Sequence, residues 1–278
     1  MTAVAVDRPG ARPPRPAGPP GFKALLRSER TKLTSLRSTW WSLTAMIVLS
    51  LGSTLLVTAL MTSRWDSLDE SARAQYRDDT IGLVLQPGAQ WAQVAACVLG
   101  VLLMASEFST GMIRSTMLAV PRRTPVLAAK AVVFGAVLFV VAELIAVPSV
   151  LIGATLTSDH ASLPLADATT LRALLAFGVY IALTGVIAVS IGALVRHPAG
   201  AISLVLGLQF ILPGVLGVLP SDTGKYLSGA LPPNTSVMMS TGANPALVYT
   251  PLQGFLILLA WTVLLVVAAG LSLKKRDV

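Results

Sequence analysis

The sequence predicts an all-α, polytopic integral membrane protein with six transmembrane helices, an N-terminal amphipathic interfacial helix and both termini cytoplasmic. Three observations carry this. Only 12% of the 278 residues are charged, while 54% are hydrophobic and the mean hydropathy is +0.74; a soluble domain carries roughly 25% charged residues. Six runs with almost no charge, at about 40–61, 84–105, 131–153, 171–194, 199–219 and 251–273, each reach the ~20 residues a helix needs to cross a bilayer. Finally, sixteen of the 21 Lys and Arg fall on the side that holds both termini, while eight of the 13 acids fall on the other. Cytoplasmic loops carry such an excess of basic residues, so that side is read as cytoplasmic. Helices are the expected spanning form because lipid offers no partner for an open backbone. The runs lack the alternation of a lipid-facing barrel.

Taken in order, residues 1–21 form a basic arm rich in proline and arginine, with too little apolar material to pack, and are expected to be disordered. Residues 22–37 follow as an amphipathic helix. At 100° per residue Phe22, Leu25, Leu26, Leu33 and Leu36 fall on one side, with Lys23, Arg27, Arg30 and Arg37 on its flanks. Glu29 lies inside that apolar arc, paired either with Lys32 or with another protein. Trp40 and Trp41 then mark the headgroup level at the start of the six-helix domain, 38–278. The outer segment 62–83 is charged and partly helical by pattern.

On the second run, steps of four and three place Gln86, Gln90, Gln93, Cys97, Gly100, Met104 and Glu107 on one face. This stripe is either glue between helices or the lining of a substrate route. On the third run Glu143 is the single acid at mid-depth, with Pro148 beyond it. It is either a proton site or a neutral carboxyl bonded to a neighbouring helix. Gly178, Gly185 and Gly192 on the fourth run, and Gly200, Gly207 and Gly214 on the fifth, read as packing seams. Pro213 is expected to bend the fifth. Arg196, His197 and Pro198 mark a tight turn between the fourth and fifth runs. The outer segment 220–250 is long and rich in Gly, Pro and Asn, with room for short helices.

The segment between the second and third runs is longer than a turn requires. Ser106 can cap a helix there, with Glu107 and Thr110 in its first turn and Gly111 loosening it. Met112 and Met117 add apolar surface, Pro121 ends it, and Arg122 and Arg123 follow. A short, sticky helix on the cytoplasmic side is what a docking piece looks like.

These residues resemble a known family. The string EFSTGMIRSTM at 107–117, then PRR at 121–123 and Lys130, is similar to the permease subunit of ATP-binding-cassette transporters of the type-2 exporter class, common in bacteria. The stretch ERTKLTSLRSTWW at 29–41 is similar to the actinobacterial branch of that family. The resemblance implies that 106–125 is a coupling helix, with Glu107, Thr110, Gly111, Met112, Arg114, Met117, Pro121, Arg122 and Arg123 meeting an ATPase. It implies that 22–37 is the connecting helix beside it, and that 220–250 carries re-entrant helices. It further implies two copies of a cognate ATP-binding subunit and a second permease chain, identical or different. The chain itself would bind no cofactor; ATP and Mg would sit on the partner, and membrane lipids would surround the bundle.

Other function classes find little support in the residues. The only Gly-Lys pair, Gly224–Lys225, has Leu219 where a phosphate loop needs its first glycine. His160 and His197 fall on opposite sides and cannot share a site, so the chain is not expected to be an enzyme. A lone cysteine, Cys97, excludes an intrachain disulfide and a cysteine-rich metal site. The net charge of +8 is explained by topology, and no nucleic-acid partner is expected. The alternative function is a proton-coupled secondary carrier or channel built on Glu143. For the leading reading, an apolar interior with a few amides fits amphiphilic or hydrophobic substrates at the cell membrane.

Overall fold

The computed structural model describes residues 21–113, 123–161, 163–219, 222–239 and 248–275, and every regular element among them is helical. Helix α1 runs Phe22–Ser35 and α2 Arg37–Ser63. Leu36 between them is extended, at φ −86° and ψ 115°, so the two helices meet at a corner. A short 3₁₀ turn at Trp65–Ser67 leads to α3, Glu70–Asp78, and then α4, Thr80–Ser109. Both of those helices start on an aspartate cap: Asp69 accepts from the Ala72 amide at 2.8 Å and Asp79 from Gly82 at 3.2 Å. Next come α5, Arg123–Thr157, and α6, Ala168–Val195. The fifth run is composite: α7, Pro198–Leu206, a π-helical turn at Gly207–Ile211, and α8, Leu212–Gly217. Helix α9, Asp222–Gly229, and a 3₁₀ helix, Pro232–Met239, precede α10, Pro251–Lys275.

Six of these stretches are long and apolar enough to cross a membrane: α2, α4, α5, α6, Pro198–Gly217 and α10. Each reaches beyond or close to the ends of its apolar run, because polar residues at the ends still complete helical turns. Helix α6 is the hub. In its most apolar stretch 67% is buried, against 17% over Pro198–Gly217. It packs mainly on α4 and α5.

The α4–α6 contact depends on small residues. A Cβ on Gly100 would sit 2.7 Å from the Gly185 carbonyl and 2.8 Å from the Ala188 Cβ, so the backbones touch where only glycine fits. Gly192 likewise faces the Val101 carbonyl. The fourth-run seam is therefore a packing seam within the chain. The fifth-run seam is not: Gly207 and Gly214 meet nothing within 4 Å.

Pro213 follows an unexpected local form. Its ring removes an amide and crowds the carbonyl four residues back, that of Gln209. The helix accommodates this with the wide turn at Gly207–Ile211. The tight turn before α7 is present too. Arg196 adopts the left-handed conformation at φ 62°, and His197 Nδ1 accepts from the Gly200 amide at 3.3 Å.

One expectation needs correction. Ser106 does not cap a new helix. It lies in the last turns of α4, where its hydroxyl donates to the Leu102 carbonyl, and Glu107 follows inside the same helix. Thr110 is the C-cap, and Gly111 at φ +72° supplies the left-handed residue that ends the helix. The apolar run ended at residue 105 on composition, but a polar last turn costs a helix little.

Candidate functional site

Helix α1 carries Leu25, Glu29 and Leu33 four residues apart, and all three are buried. Leu25 and the half-buried Leu26 pack on Val126 and Ala129 at the start of α5. This register turns Glu29 inward, toward two other charged residues brought in by different helices. Glu107 comes from the last turn of α4, and Lys130 from the second turn of α5. Lys130 is 1% exposed, with Nζ 2.6 Å from Glu29 Oε2 and 2.8 Å from Glu107 Oε1. Lys32 closes the group at 2.9 Å from Glu29 Oε1 and 3.2 Å from Glu107 Oε1.

Two carboxylates and two ammoniums thus balance in one small volume. Burial of such charges is tolerated when each is paired at short range. Burial alone would push the Glu29 carboxyl up. Lys130, by attraction and hydrogen bond, and then Lys32 outweigh it and hold Glu29 below its ordinary 4.5. The Lys32 ammonium, pushed down by burial, is raised above its ordinary 10.5 by Glu29 and Glu107. Glu29 and Lys32 are therefore charged at neutral pH.

The cluster brackets the segment between α4 and α5. Glu107 stands just before it and Lys130 just after, and both are tied to α1. Beside them the Arg196 guanidinium lies 5.1 Å from the Phe108 ring and its Nη2 donates to the Ser272 carbonyl at 3.5 Å, drawing in the ends of α6 and α10.

Of the residues expected to meet a partner, Thr110, Gly111 and Met112 are exposed. Glu107 is buried in the cluster, not presented at the surface. Arg114, Met117, Pro121 and Arg122 lie outside the described residues, and Arg123 opens α5. Phe22 on α1 and Leu36 just after it are exposed, unlike Leu25, Leu26 and Leu33.

The polar stripe of the second run divides. Gln86 and Gln90 are exposed on the single chain, while Gln93, Cys97, Gly100, Met104 and Glu107 are buried. Gln93 Oε1 accepts from the Tyr180 hydroxyl at 2.7 Å, and Gln209, on the π turn, donates toward Cys97 Sγ at 3.8 Å. Gln93 Nε2 and Gln209 Oε1 have no partner. The inner part of the stripe is thus a contact between α4, α6 and the fifth run. Glu143 is half-buried against Gly178 of α6, where any Cβ would strike its Oε1, and that oxygen has no partner.

No protein-family model matches the chain, and no curated protein matches it. Among the described residues there is no group of three or more His, Cys, Asp or Glu able to hold a metal.

The sequence pattern named Glu29, Glu107 and Lys130 separately and did not join them. The available signal was Lys130 itself. A cation inside LAAKAVV has to find an acid, and the acids on the same side are few. Tyr180 and Gln209 were missed because each stands singly in an apolar run.

Proposed function

We propose that this protein is the permease subunit of an ABC-type exporter in the cell membrane, with both termini cytoplasmic. It moves an amphiphilic or hydrophobic substrate using ATP hydrolysed by a separate ATPase. The observation that carries this reading is the ion cluster. It ties both ends of the 106–125 segment to α1, so a push on that segment reaches α4 and α5 together, and a loop that only turned the chain would need no such tie. Coupling of this kind is a rigid-body device: the ATPases close, and the packed helices follow.

Two further features support it. The outward-facing Gly207 and Gly214 and the mostly exposed Pro198–Gly217 stretch suit a second permease chain. Among the described residues the interior offers amides and hydroxyls but no paired ions at mid-depth, which suits amphiphiles better than sugars or inorganic ions. In this reading Thr110, Gly111, Met112, Arg114, Met117, Pro121, Arg122 and Arg123 meet the ATPase, while Glu107 and Lys130 hold the segment. The test is ATP hydrolysis by the mildly solubilised complex in liposomes. Stimulation by amphiphiles is the expected result; stimulation by polar solutes alone would overturn the substrate class.

A further inference from the structure

At the end of the bundle opposite α1, a pocket of about 340 Å³ lies between α2, α3 and α4, within the range of small-ligand sites. Its deep side holds Thr58 and Tyr76, 3% and 7% exposed. Its rim holds the exposed Gln75 and Gln86, and Val57 and Leu83 add apolar wall. Among the described residues no charged side chain lines it.

The four polar side chains of this pocket are idle. None of them makes a side-chain hydrogen bond among the described residues. The hydroxyls of Thr58 and Tyr76 are not shut in either: the sealed polar atoms without partners belong to other residues, such as Ser50 and Thr184. Both hydroxyls therefore keep accessible surface, and the pocket is the space that both residues line. Burial pushes the Tyr76 phenol up, so it holds its proton. Each hydroxyl and each amide can both donate and accept. An ionic head would lose its water here without meeting an opposite charge. A head that only accepts would leave the acceptors of the pocket empty, whereas hydroxyls serve both sides. Leu56 and Leu60, exposed on α2 beside Val57, offer apolar surface to a chain leaving the pocket.

We propose that this pocket binds the glycerol head of a monoacylglycerol, an uncharged single-chain amphiphile. Its two hydroxyls exchange hydrogen bonds with Thr58 and Tyr76, and the amides of Gln75 and Gln86 meet them at the rim. The acyl chain runs along α2 over Leu56 and Leu60. The site would hold this amphiphile whether or not the chain works with an ATPase.

The test is equilibrium binding of tritiated monoolein to the full-length chain in detergent micelles, competed separately by oleate, oleylamine and methyl oleate. Saturation at one monoolein per chain is expected. Each competitor should need about tenfold more than unlabelled monoolein, as one or two neutral hydrogen bonds provide. Tyr76→Phe combined with Thr58→Val removes both hydroxyls at nearly constant shape and keeps an aromatic ring edge-on to Trp65; it should erase the preference. Gln86→Leu, at an exposed position, should weaken the preference severalfold if the double variant misfolds. Binding that never saturates, or a competitor as strong as monoolein, would overturn the proposal. So would a folded variant of either kind that keeps the wild-type preference.

Discussion

The bundle is closed at its two ends by different chemistry. At the end that carries α1, four charged side chains from three helices lock together within 2.6–3.2 Å. At the opposite end the closure is aromatic. Trp65 stacks on His160 with ring centroids 4.7 Å apart and meets Tyr76 edge-on at 5.7 Å. Arg77 lies 5.5 Å from the Trp65 ring, and Arg73 Nε donates to the Trp65 carbonyl at 3.0 Å. The contrast lies in how each fails. A stack loses area gradually as it slides, whereas a buried ion left without its partner is penalised at once. The chain places the steep interaction beside the segment that, in the proposed permease, receives the push.

The largest effect is expected from Lys130→Met. It leaves two buried carboxylates sharing Lys32 alone and should cost about 3–5 kcal/mol of stability, read as a lowered midpoint in denaturant unfolding of the detergent-solubilised chain. An unchanged midpoint would mean that the cluster opens freely. The same contact sets a pH signature. Glu29 is depressed, so its stabilising share is present above its ordinary 4.5 and is lost as pH falls through its lower folded value. Lys32 is raised, so its share is present below 10.5 and is lost as pH rises through its higher folded value. Stability from this end should be flat between those limits and fall outside them.

Trp65→Leu keeps an apolar body and removes the stack, the edge contact and the cation contact. A loss of about 1–2 kcal/mol is expected. If it equals or exceeds that of Lys130→Met, the contrast between the two ends is lost. The smallest effect belongs to Glu143→Gln. Its Oε1 makes no hydrogen bond, so removing the acid should change stability by less than ~1 kcal/mol. Loss of a proton-linked flux in this variant would instead favour the carrier reading.

The crossing helices were legible because their signal is local: twenty apolar residues identify themselves. The Arg196–Pro198 turn was legible for the same reason, since left-handed and proline backbones act on their neighbours. The ion cluster was only half legible. The Glu29–Lys32 pair is one helical turn, but the Glu29–Lys130 contact joins residues 101 positions apart, and no periodicity reports that. The end of α4 was misplaced because composition marks where lipid stops, and the helix continues for another turn. The stripe of Gln86, Gln90 and Gln93 obeyed its spacing but not a common fate, because α6 covers only its lower part.

The most direct measurement is an affinity pull-down of the chain from mildly solubilised native membranes, with co-purifying proteins identified. Wild type runs beside a variant with Arg114, Arg122 and Arg123 changed to alanine, which leaves the Glu29–Lys32–Glu107–Lys130 cluster intact. The account predicts a nucleotide-hydrolysing ATPase subunit with wild type and its loss with the variant. No such subunit with wild type, under conditions that hold a known transporter together, would contradict it.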